Sequence, residues 1–139
     1  MQRVSAAIAL VLLASLAGAD ETKKSDSGKP AQVTLTGTVV DTRCYAMSSD
    51  NFTDTHGDMQ QCGAMCANMG IPAGIVKDGK KGDPAIILLA PAKSFAGAMG
   101  KTVRATGTLT WNNAAFIPDK VEVQDDKGKW TVLKVKTMM

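Results

Sequence analysis

Aromatic side chains make up only 4% of this 139-residue chain. That scarcity argues against a surface built to stack bases or sugars, and a net charge of +3 is too mild for a nucleic-acid footprint. There is no Cys-x-x-Cys, which disfavours a thioredoxin-like oxidoreductase, and no Cys-x-x-Cys-His for covalent haem. No glycine-rich phosphate loop precedes a helix; Gly79-Lys80-Lys81-Gly82 is hairpin-turn chemistry without the following Ser or Thr of a P-loop. No Ser stands in a nucleophile-elbow context, and a Ser-His-Asp site would have to use His56.

Long hydrophobic runs are also missing but for one. Val4 to Leu16 is apolar, preceded by Arg3 and followed by the small residues Ala17-Gly18-Ala19. Thirteen residues fall short of the roughly 20 needed to cross a bilayer. A charged start, an apolar centre and an A-x-A end make residues 1–19 a secretory signal cut after Ala19, which implies a periplasmic or secreted protein without a membrane anchor. Residues 20–31 mix both charges with nothing to bury and read as a disordered linker. Residues 32–139 then suit a single domain.

Within that domain the dominant pattern has period two. Val33, Leu35, Gly37 and Val39 alternate with Thr34, Thr36 and Thr38; Val103, Ala105, Gly107, Leu109 and Trp111 alternate with Thr102, Arg104, Thr106, Thr108 and Thr110. Both are half-buried strands. Further strands are expected at Gly74–Lys77, Ala85–Leu89, Ile117–Gln124 and Trp130–Val135, separated by Gly-, Asn- and Asp-rich turns. Gly37 and Gly107 inside strands signal sharp bends or bulges. Two segments read as helical: Met59–Met69, with Asp58 as N-cap, Gln61 completing a capping box and Gly70 closing it, and the shorter Ala92–Met99. The order predicts a mainly β fold, an OB-like small Greek-key barrel with an inserted Cys-bearing helix and a second short helix. An open β-sandwich is the alternative.

All three cysteines and the single histidine fall in one stretch, Cys44-x11-His56-x5-Cys62-x3-Cys66. Cys62 and Cys66, four apart on the expected helix, project from one face. Three thiolates and an imidazole make the tetrahedral set of a closed zinc site. With no position left for water, such a site argues against metal-assisted hydrolysis. Met59, Met65 and Met69 share an arc of the same helix; thioethers beside thiolates would favour Cu(I), though a core-facing stripe is the simpler reading. Asp50, Asp54 and Asp58 read as a solvated turn that lacks the Gly and Glu of a calcium loop.

A structural disulfide competes, because an exported compartment is oxidising. Cβ atoms at i, i+4 on a helix lie about 5–6 Å apart, too far for a Cys62–Cys66 bridge without strain. Cys44 bonded to either leaves one thiol over. A thiol enzyme working through a low-pKa Cys62 or Cys66 is a further alternative.

The string Gly37-Thr-Val-Val-Asp-Thr-Arg-Cys44-Tyr, the His56-x5-Cys62-x3-Cys66 segment, Met-Gly-Ile-Pro-Ala-Gly-Ile-Val76 and the strand Gly100 to Gly107 resemble a group of small exported bacterial proteins. The resemblance spans most of the chain after the signal. It implies an OB-like fold and export, and it brings no activity. Together these readings lead to an extracytoplasmic, non-enzymatic domain that binds Zn or Cu through Cys44, His56, Cys62 and Cys66. A disulfide-stapled OB-type module binding a protein or small ligand is the alternative.

Overall fold

The computed structural model describes residues 32–110 and 112–136. The expected signal and linker, Trp111 and the last three residues lie outside this set. Six strands form: β1 (Gln32–Asp41), β2 (Ala73–Lys77), β3 (Ala85–Leu88), β4 (Thr102–Leu109), β5 (Ala115–Gln124) and β6 (Trp130–Leu133). Their order in the sheet is β3-β2-β1-β4-β5-β6, all antiparallel. One further pairing, β3 with β5 and parallel, joins Ile87 to Ala115 and Leu88 to Phe116, so that five strands make a ring with β6 on its outside. The closure is only this short, so the result is a coiled sheet with a ring of hydrogen bonds and not a uniform barrel.

Alternation decides the faces. On β4, Val103, Ala105 and Gly107 are buried while Thr102, Arg104, Thr106 and Thr108 are partly exposed. On β1 the same rule holds until Gly37, after which every residue to Asp41 is buried, because helices now cover the outer face as well. The main core gathers Leu35, Val39, Ile75, Leu88, Phe95, Val103, Phe116 and Val121. Gly37 and Gly107 are required by close approach of backbone. A Cβ on Gly37 would fall on the carbonyl oxygen of Val76, and one on Gly107 on that of Ile117, where the β4–β5 register shifts by a bulge.

The stretch between β1 and β2 is a helix–loop–helix. The first helix, α1 (Thr42–Met47), follows β1 without a linker; the second, α2 (Cys62–Asn68), is shorter than the expected Met59–Met69. Asp58 does not cap it. Residues 56–59 instead close on themselves, His56 and Met59 exchanging two backbone hydrogen bonds of 3.0 Å around Gly57 at positive φ. Gln61, at φ 57° and ψ 25°, then turns the chain into the helix. The cap comes from Asp54, whose carbonyl accepts from Gly63 N at 3.1 Å and whose Oδ1 accepts from Ala64 N at 2.7 Å. Asp54 is therefore a helix cap acting from outside the helix, not a solvated turn residue. The second expected helix is present as a 3-10 helix, Ala92–Ala98, against which α2 packs. Gly63 sits against the Met99 side chain at that contact.

Candidate metal centre

Five ionisable or soft side chains meet where β1 hands over to the helix–loop–helix. Asp41 ends β1, Cys44 stands on α1, His56 on the loop, and Cys62 and Cys66 on α2. Two groups of ligand atoms arise, each with its members within 4.8 Å of one another: Cys44, His56 and Cys62 in one, and Asp41, Cys44 and Cys66 in the other. The four residues singled out by spacing are thus drawn together, though as two overlapping triads hinged on Cys44 and not as one compact tetrahedron. Asp41 is the member that spacing reasoning missed. Period and spacing gave no sign of it, because the helix that Asp41 caps, Thr42–Met47, was not among the two expected from the sequence.

Local hydrogen bonding explains how each group is held. Asp41 Oδ1 accepts from the backbone N–H of Arg43 at 2.9 Å and of Cys44 at 3.3 Å, which starts α1 and fixes the Cys44 side chain over the end of β1. Thr42 Oγ1 donates to Pro72 O at 2.8 Å and ties the same point to the start of β2. Tyr45 donates to Asp83 O at 2.8 Å and accepts from Gly82 N at 2.9 Å, latching α1 onto the β2–β3 turn. Asn51 Nδ2 donates to Cys44 O at 2.8 Å, holding the outgoing loop close to α1.

His56 is 7% exposed, and its Nε2 lies 2.8 Å from the carbonyl oxygen of Thr53. A carbonyl can only accept, so Nε2 carries a proton, and in the neutral ring the lone pair is on Nδ1. That Nδ1 is buried and has no hydrogen-bond partner. Asp41, 1% exposed, has the same defect: Oδ2 is buried and makes no hydrogen bond of acceptable geometry. An unsatisfied buried polar atom costs about 1–3 kcal/mol. Two of them beside three thiols are what a bound cation would relieve, and a histidine whose other ring nitrogen is anchored to a carbonyl is the usual supporting arrangement for a metal ligand.

All three cysteines are free thiols in the structure. The Asp41 carboxylate, as a hydrogen-bond acceptor beside the sulfur, and then burial push Cys66 up to about 12. Burial, followed by Asp41, raises Cys44 as well. Shifts in this direction are the reverse of what an activated thiol nucleophile needs. A cation bound there would have to displace the thiol protons.

The methionines depart from the expected core stripe. Met59, Met65 and Met69 are 57%, 51% and 72% exposed. The buried face of α2 consists of Cys62, Gly63, Cys66 and Ala67. Gly63 and Ala67 are small enough to let the helix lie tightly on the 3-10 segment, which turns both cysteines inward and Met65 outward; Met59 precedes the helix altogether. Two surface clefts, one lined in part by Asn68, Pro72 and Lys93 and one by Gly97, Gln124 and Val132, include none of the five clustered side chains. The Thr-rich face of β4 is largely occupied with itself: Arg104 binds Glu122 at 2.9 Å and lies 4.7 Å from the Trp130 ring centre, and Thr34 bonds Thr106 at 3.1 Å. Comparison of the chain with family models, with curated proteins and with solved structures returns no match, so the geometry of this cluster is what a functional assignment must stand on.

Proposed function

We propose that this protein is an exported, non-enzymatic small barrel of the OB type that binds a thiophilic ion, zinc or copper, through Cys44, His56, Cys62 and Cys66. The observation that carries the reading is the grouping of His56 with the Cys44 and Cys62 thiols, on a ring whose Nδ1 is buried and without a hydrogen-bond partner. Binding deprotonates the cysteines and fastens the helix–loop–helix to the end of β1, so that metal affinity is also folding free energy. The OB assignment draws on the ring order β1-β2-β3-β5-β4 and on the helical segment between β3 and β4. Export rests on the n-region, apolar core and Ala-Gly-Ala of residues 1–19.

A second reading is favoured by one fact: Cys44 shares a group with each of the other cysteines, so it can bridge to either with little movement. That protein would be a disulfide-stapled module binding a protein or small ligand, with one thiol spare. A single preparation separates the two. The protein is purified anaerobically from the exported fraction, its thiols are counted under denaturation, and its metal is measured by elemental analysis. Three thiols with at least one equivalent of zinc or copper support the metal reading. One thiol and no metal refute it in favour of the staple, and recovery from the cytoplasm alone refutes export.

A further inference from the structure

We infer that the cluster is a two-ion site for divalent cations of the zinc class, with the Cys44 thiolate bridging them, one ion on His56 and Cys62 and the other on Asp41 and Cys66. The inference rests on the metal-binding reading above and adds to it the number of ions, the bridging sulfur and the part of Asp41.

The first argument is the grouping itself. Cys44 is common to both triads, while His56 and Cys62 belong to one and Asp41 and Cys66 to the other. Sulfurs on one tetrahedral zinc lie about 3.8 Å apart, given Zn–S bonds near ~2.3 Å. Each triad, with its atoms within 4.8 Å, closes to that spacing by side-chain rotation of about an ångström. The two triads do not merge into a single group, so a lone ion would have to draw Cys66 across from its present neighbours.

The second argument is the unsatisfied atoms. One residue of each triad carries such an atom: His56 its Nδ1 and Asp41 its Oδ2. A single ion on the three sulfurs and the imidazole would leave Asp41 Oδ2 buried and unpartnered, on a carboxylate that lies beside thiolates. A second ion satisfies both. Asp41 is suited to the task because its Oδ1 is already fixed by two backbone N–H groups, so Oδ2 is held in place without further ordering.

The third argument is charge. With metal bound, three thiolates and the Asp41 carboxylate carry four negative charges, and the neutral imidazole carries none. Two divalent ions cancel them. One divalent ion leaves a net charge of about −2 among side chains that are mostly buried, a cost of several kcal/mol unless protons are retained. Monovalent copper leaves more. The half-buried Cys44 gives the cluster its solvent side, through which water can complete each ion's fourth position.

The experiment is an anaerobic titration of the full chain after signal removal with Zn(II), read by native mass spectrometry and elemental analysis after passage over a weak chelator. Wild type should retain two equivalents. Asp41→Asn should retain one, His56→Ala one, and Cys44→Ser fewer than either. Asn preserves the cap on α1, so loss of one ion in Asp41→Asn is not loss of the helix. Cd(II)-loaded wild-type protein should show two cadmium resonances, a readout that needs no variant to fold. One retained equivalent in wild type, unchanged in Asp41→Asn, overturns the two-ion inference and leaves the metal-binding function intact. Two equivalents that persist in both Asp41→Asn and His56→Ala overturn it as well, because the extra ion is then adventitious. No retained zinc at all overturns both readings.

Discussion

Replacing Asp41 by Asn tests the electrostatics of the metal-free cluster most directly. Asn is isosteric and its oxygen can still accept from Arg43 N and Cys44 N, so α1 keeps its cap. What disappears is the carboxylate acceptor of the Cys66 thiol, the largest cause of its elevated value, and with it the negative charge beside the sulfur. With a pKa of about 12 only ~10⁻⁴ of Cys66 is thiolate at pH 8, against about a tenth for a thiol at its ordinary value of 9.0. Burial persists in the variant, so the gain is a fraction of that thousandfold range; at least about tenfold faster alkylation of Cys66 at pH 8 is expected. The assay is iodoacetamide labelling of the chelator-treated protein across pH 7–11, read peptide by peptide by mass spectrometry. Cys44 should respond less, since burial outranks Asp41 among its causes. The same shift fixes a stability window. A folded pKa above the unfolded one means that stability is intact below about pH 9 and declines as pH rises toward about 12. The metal-free wild type should therefore melt progressively earlier across that range, and Asp41→Asn should lose less. An unchanged midpoint for Cys66 labelling would refute the placement of the carboxylate against the sulfur.

Three further outcomes follow from particular contacts. Because Cys44 and Cys66 must each lose a proton to bind metal, the logarithm of apparent zinc affinity should rise by at least about two per pH unit between pH 6 and 8, with matching proton release in calorimetry using buffers of different ionisation enthalpy; a slope near zero would mean that these thiols are not ligands. Asp54→Ala removes the external cap of α2 and should cost about 1–2 kcal/mol, lowering the metal-free melting temperature by roughly 4–8 °C per kcal/mol; no change would mean that the helix start finds other partners. Gly37→Ala places a methyl on the Val76 carbonyl, which rigid paired strands cannot accommodate, and should cost about 3 kcal/mol or more, whereas Gly97→Ala, with open space at its Cβ position, should stay within about 0.5 kcal/mol in denaturant melts.

Much of the scaffold was readable from the chain alone, and some of the site was not. Period-two alternation located β1 and β4, and short apolar runs between Gly-, Asn- and Asp-rich turns located the other four strands, to within a few residues, because both signals are local in the chain. The extent of α2 was misread because Asp58 and Gln61 offer a plausible capping box, while the capping residue that operates, Asp54, acts through a loop closure invisible to local pattern. The methionine stripe was misread for a related reason. A helix of seven residues carries too little pattern to fix its rotation, and the contact of Gly63 with Met99 fixes it instead.

Residue order by itself determined that three sulfurs and the only imidazole lie in one short stretch between two strands. Only the tertiary structure decided that they divide into two triads about Cys44, that Asp41 joins them, and that His56 keeps a buried Nδ1 without a partner while its other nitrogen is anchored. The reason is physical: ligand identity is a property of side chains, whereas which lone pairs are left without a partner depends on every hydrogen bond made around them, and those bonds come from residues far apart in the chain.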